Sequence, residues 1–103
     1  MYKLTVYIPA THLEAVKTAL FEAGAGRQGT YDCCAWQARG QGQFRPLAGS
    51  SPFIGQTGAV ETVDEYRVDM LCPEDRTADV IRALRATHPY EEPAFDLVKL
   101  EAP

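Results

Sequence analysis

The chain predicts an α+β fold: a β-α-β-β-α-β sandwich in which four strands form one antiparallel sheet and two helices cover one face. Three observations predict it. In two stretches, one starting at Lys3 and one near Ala59, apolar residues alternate at period two and then change to helical spacing. All eight glycines lie between Gly24 and Gly58, so irregular backbone is gathered between two regular halves. A short apolar segment after the second helix supplies the last strand.

The first strand reads from Lys3 to Ile8, with Leu4, Val6 and Ile8 on one face and Lys3, Thr5 and Tyr7 on the other. Pro9 ends it. Thr11 followed by Glu14 has the spacing of a capping box, and Leu13, Val16, Leu20 and Ala23 form one helical stripe that Gly24 closes. Thr30 to Ala38 is expected as the second strand, with Cys34 and Trp36 on one face and Tyr31, Cys33 and Ala35 on the other. Both faces are apolar, as expected when a second subunit covers what the helices leave bare. Arg39-Gly40-Gln41-Gly42 is expected as a turn that opens a glycine-rich excursion between strands two and three, over about residues 39–58.

The third strand runs from about Ala59 to Leu71, where Tyr66, Val68 and Met70 alternate with Glu65, Arg67 and Asp69. The second helix, near Arg76 to Thr87, buries Val80, Ile81 and Leu84 and carries acidic residues before its positive end. In the last strand, about Phe95 to Leu100, the apolar phase changes between Leu97 and Val98, which predicts a bulge or burial on both sides. With right-handed crossovers this order closes as the ferredoxin-like arrangement.

With 103 residues, 46% of them hydrophobic, the chain is expected to be a single domain spanning 1–103. A net charge of −4 with scattered basic residues argues against nucleic acid and anionic membrane as partners. Leu4 to Ile8 is too short for a signal-peptide core, and no stretch reaches the roughly 20 apolar residues of a membrane span. Three cysteines, Cys33, Cys34 and Cys72, cannot all pair within one chain. The expected location is therefore the cytoplasm, with reduced thiols.

The densest chemistry lies in His88-Pro89-Tyr90-Glu91-Glu92-Pro93, an imidazole, a phenol and two carboxylates on a connection stiffened by two prolines. His88, Glu91 and Glu92 are candidate ligands for a divalent metal, zinc or copper, with Cys33 or another group completing the set. The competing reading is that His88 and Tyr90 bond to backbone groups and lock the loop. Arg39 and Arg45 beside Gly40-x-Gly42, together with Tyr31, are the candidate small-ligand residues. That glycine pair lacks the following Lys-Ser or Lys-Thr of a nucleotide loop. A cysteine and His88 would form a nucleophilic dyad only if the fold joined them, so no catalytic residue is assigned.

Three runs carry a family resemblance: Gly26-Arg27-Gln28-Gly29-Thr30-Tyr31-Asp32-Cys33-Cys34-Ala35, Gly40-Gln41-Gly42-Gln43-Phe44-Arg45-Pro46, and Pro52-Phe53-Ile54-Gly55 with Gly58, Glu61, Val63 and Glu65. With the ending from His88 to Leu97, they resemble the insert domain of the NGG-interacting-factor-three-like family. Members of that family are also called dinuclear-metal-centre proteins or GTP cyclohydrolase I type-two homologues. The His-Pro-Tyr-Glu portion is similar to the CutA divalent-cation-tolerance proteins. The resemblance implies a PII/CutA-like fold, and a homo-oligomer, trimer or multiple of trimers, with sheets packed inward. Larger members carry two metal ions in flanking domains, whereas this sequence has only His12 and His88. The expectation is a free-standing, non-enzymatic module of regulatory type, binding a small ligand or divalent metal at subunit boundaries, with room for an unidentified protein partner. The alternatives are a copper- or zinc-tolerance protein and an accessory part of a metal-dependent nucleotide hydrolase.

Overall fold

A computed structural model describes residues 1–101. The elements are β1 (Tyr2–Pro9), α1 (Leu13–Glu22), β2 (Trp36–Phe44), β3 (Glu61–Cys72), α2 (Thr77–Thr87) and β4 (Phe95–Lys99). A short 3-10 turn precedes each helix, at Ala10–His12 and Glu74–Arg76. The strands lie in the order β2-β3-β1-β4, and every neighbouring pair is antiparallel. This is the expected sandwich, with the third strand and second helix within two residues of their predicted bounds.

Strand alternation and helical stripes meet in one core. Leu4, Val6 and Ile8 of β1 and Val68, Met70 and Cys72 of β3 pack with Val16 and Leu20 of α1 and Val80 and Leu84 of α2. All ten are buried, and each fully buried Leu, Ile or Val contributes about 1.5–3 kcal/mol. Cys72 behaves as a small apolar residue here, and burial raises its thiol pKa. The remaining cysteines divide, Cys33 exposed and Cys34 half-buried.

Four details depart from the sequence-based expectation. The second strand begins at Trp36, not Thr30, and runs through the residues expected to turn, so Gly40 and Gly42 sit in regular pairing opposite Glu65 and Val63. The glycine-rich excursion accordingly begins at Arg45, after the strand, instead of near residue 39. Residues 26–35 are irregular for local reasons. Gln28 and Tyr31 exchange backbone hydrogen bonds at 3.0 Å, Cys34 donates to the Gly26 carbonyl at 2.8 Å, and Cys33 holds a left-handed φ of 54°. Its apolar alternation came from a loop.

The capping box does not form either. Thr11 pairs through its hydroxyl with His12 Nδ1 at 2.8 Å, and Glu14 pairs with Lys17 at 3.1 Å. In β4 the register with β1 is unbroken, so the phase change is no bulge. Phe95 and Leu97 pack on the core, while Val98 points to the bare face of the sheet.

The β2–β3 pair extends beyond β1, whose last residue Pro9 pairs with Glu65. The molecule is accordingly elongated, 46 × 24 × 24 Å. At the opposite end the backbone of Leu100 donates to the Met1 carbonyl at 3.0 Å.

Because Leu84 lies at the centre of the layer between helix and sheet, Leu84→Ala is expected to lower unfolding free energy by about 2–5 kcal/mol. Urea denaturation checks this, and a loss under about 1 kcal/mol would contradict the packing described.

Candidate functional site

The site forms where β1 stops and two loops replace it. Pro89 pushes its predecessor out of helical geometry, and His88 sits at φ −69° and ψ 133° at the end of α2. That turn swings a buried imidazole onto β1. His88 Nε2 donates to the Tyr7 carbonyl at 2.7 Å, and Nδ1 accepts from the Tyr90 backbone N–H at 3.2 Å. This pair of bonds defines a neutral ring protonated on Nε2. Burial lowers its pKa, outweighing the Tyr7 bond, which favours the charged ring; His12 nearby lowers it further. The Tyr7 amide in turn donates to Ala94 at 3.1 Å, so the loop continues the edge that β4 leaves open.

Tyr90 is the hub of a small aromatic group. Its ring lies 5.0 Å from His88, 6.0 Å from Phe44 and 6.4 Å from Phe53, which meets His12 edge-on at 5.4 Å. The Tyr90 hydroxyl is buried and has no hydrogen-bond partner among the described residues. Burial raises its pKa, and the Glu65 carboxylate adds to the shift. Glu91 accepts from the Ser51 N–H at 2.9 Å and so ties the terminal loop to the glycine-rich excursion.

Between these loops and the sheet lies an open cavity of about 270 Å³. Register places Tyr7, Gly42 and Glu65 on the same face, since Tyr7 pairs with Arg67 and Gly42 with Val63 on either side of Glu65. The Glu65 carboxylate lies directly over Gly42, where any Cβ would overlap it. Gly42 is therefore a seat for a side chain, not a turn. Burial raises the Glu65 pKa.

The residues singled out from sequence divide between this site and the surface. His88, Glu91 and Glu92 lie in the terminal loop, but both nitrogens of His88 are engaged with backbone. Among the described residues no three His, Cys, Asp or Glu side chains gather as a metal site. Cys33 lies in the exposed loop before β2. Tyr31, Arg39 and Arg45 are exposed, none lines the cavity, and Arg39 pairs with Asp64 at 3.1 Å. Sequence reasoning missed Glu65 and Gly42, which only the β2–β3 register brings together. The signal was available in Gly40-x-Gly42, taken as a turn although its neighbours alternate like a strand.

A sheet with two helices on one face and this element order is the CutA-like fold. The structure superposes on the CutA divalent cation tolerance protein of Archaeoglobus fulgidus with a TM-score of 0.69 at 17% identity, covering 100% of this chain and 87% of that one. A Bacillus cereus protein related to NIF3 matches more strongly, with a TM-score of 0.83 and 38% identity over 98% of this chain and 26% of that one. The GTP cyclohydrolase 1 type 2 homolog of Mycobacterium tuberculosis is 50% identical over 101 residues, 98% of this chain and 27% of that protein. No protein-family pattern matches the chain. The chain is thus a homologue of one segment of the GTP cyclohydrolase 1 type 2 homologues, the NIF3 family, and spans about a quarter of their length.

The neutral imidazole gives a signed pH prediction. A lowered folded pKa means that the stability from His88 is complete above about pH 6.5, the ordinary histidine value, and is lost as pH falls through the folded pKa. His88→Gln is expected to remove that slope and to cost about 1–3 kcal/mol, because a buried backbone group loses its partner. Urea titrations across the range decide it, and an unchanged slope would assign the pH dependence elsewhere.

Proposed function

We propose that this chain is a binding module rather than a catalyst, a homo-oligomer built on a trimer in which small ligands or divalent metals are held at subunit boundaries. The observation that carries the reading is the sheet face without helices. It exposes Trp36 and Val98, 62% and 54% accessible, among Lys3, Arg67, Asp69 and Asp96. Apolar side chains set among charges of both signs can pair with a copy of themselves. Tyr31, Arg39 and Arg45 are exposed and so open to a neighbouring subunit.

For metal, the same boundary would bring Glu91, Glu92 and Cys33 towards groups from a second copy. His88 joins such a set only by giving up Tyr7 or Tyr90. A CutA relative in fold carries divalent cation tolerance in its name, which supports zinc or copper as the ions to try.

A second reading, favoured by the match to a quarter of the GTP cyclohydrolase 1 type 2 homologues, is that the chain serves as an accessory part of a metal-dependent nucleotide hydrolase. Turnover of GTP by the purified chain with manganese or zinc, without a partner, would reverse the non-catalytic reading.

Light scattering on untagged protein is expected to give a mass three times the chain's or a multiple of that. A monomer at micromolar concentration overturns the assembly. Calorimetry with zinc or copper is expected to show a binding event that weakens in Glu91→Ala and His88→Ala. No event in the unmutated chain ends the metal reading.

A further inference from the structure

The cavity beside Glu65 lies within one protomer and has a consistent chemistry. Its acidic residues are Glu65, Glu91 and Glu92, its rings include Phe44, Phe53 and Tyr90, and no lysine or arginine lines it. Two guanidinium groups on β2 and β3 are committed elsewhere, Arg67 to Asp69 at 3.4 Å and Arg39 to Asp64 at 3.1 Å, and Arg45, between the lining residues Phe44 and Pro46, is exposed and outside the lining. Among the described residues the Glu65 carboxylate makes no ion pair. It lines the same cavity as the Tyr90 ring, whose hydroxyl is buried.

We infer that this cavity binds a small organic cation, an ammonium or guanidinium group on an apolar body, with Glu65 as counter-ion and the Phe44, Phe53 and Tyr90 rings around the body. A carboxylate without an ion pair lines the pocket among aromatic rings. The carboxylate accepts from the N–H donors of an ammonium or guanidinium group. Aromatic faces attract a cation that has left water. Desolvation that raises the Glu65 pKa is offset when a positive charge arrives. At about 270 Å³ the space lies near the lower limit of roughly 300 Å³ for ligand pockets, which suits a body about the size of one ring. A bare metal ion fits less well, because Glu91, one of the other two carboxylates of the lining, already accepts from Ser51.

This inference does not require the assembly proposed above, since every lining residue comes from one copy, although Glu91 and Glu92 are shared with the metal set proposed there. The test uses the full chain with benzylamine, protonated at neutral pH, and benzyl alcohol as its neutral counterpart, followed by amide chemical shifts. Benzylammonium is expected to bind saturably, with shifts centred on Gly42, Glu65 and Tyr90, and at least about tenfold more tightly than the alcohol. Glu65→Gln should weaken it about tenfold or more. Gly42→Ala, which retains the charge but displaces the carboxylate from its seat, should weaken it as well and keeps the test open if the first variant fails to fold. Equal affinity for the two probes, no saturation below roughly 10 mM, or unchanged binding in the folded variants each overturns the inference. Light scattering on the same samples separates this result from any failure of the oligomer.

Discussion

The hydrogen bond from His88 to the carbonyl of Tyr7 is the contact on which the cavity end of the molecule depends. It joins the exit of α2 to β1 where β4 no longer does, while the bond that Nδ1 accepts from Tyr90 needs a neutral ring. The same ring takes the Tyr90 amide, so one side chain sets the strand edge and the direction of the loop. Tyr90 is thereby aimed between Phe44 and Phe53, and the aromatic group gives the glycine-rich excursion something to pack against. Both nitrogens are engaged with backbone, so a ligand could take one only by displacing Tyr7 or Tyr90.

A second constraint comes from the sheet. A carboxylate pointing into a partly covered face needs water, a partner or space. Glu65 has space, because Gly42 on the neighbouring strand has no side chain. The arrangement trades strand propensity for room, since glycine weakens a strand, and it does so where a cavity opens. On the helix side the opposite logic holds. Every inward position of β1 and β3 from Leu4 to Ile8 and from Val68 to Cys72 is filled and sealed, which leaves chemistry to the other face and to the loops.

Much of the fold was legible because period-two and helical patterns are local. Leu4, Val6 and Ile8 could be assigned to one face without knowing their neighbours, as could Val80 and Leu84. The second strand was not, since two glycines in four residues read as a turn unless one knows that Glu65 stands across from Gly40. The loop before β2 misled in the other direction. Tyr31, Cys33 and Ala35 alternate like a strand, yet the left-handed backbone at Cys33 cannot continue one. The terminal loop was recognised as structured, and its prolines did what their geometry requires at His88. The cavity was invisible for a different reason: it joins residues from β1, β2, β3 and two loops, and no window of sequence contains it.

The hydrogen bond between Leu100 and Met1 has a bearing on how such a unit can be carried by a longer polypeptide. Its entry and exit lie side by side at one end, while the cavity lies towards the other end of a body 46 Å long. A host chain could therefore lead into the unit and resume within a few ångströms of where it left off, as tolerated domain insertions do. The relatives are about four times longer than this chain, so the same geometry would let the segment stand out from a host like a bracket, its cavity displaced from the point of attachment.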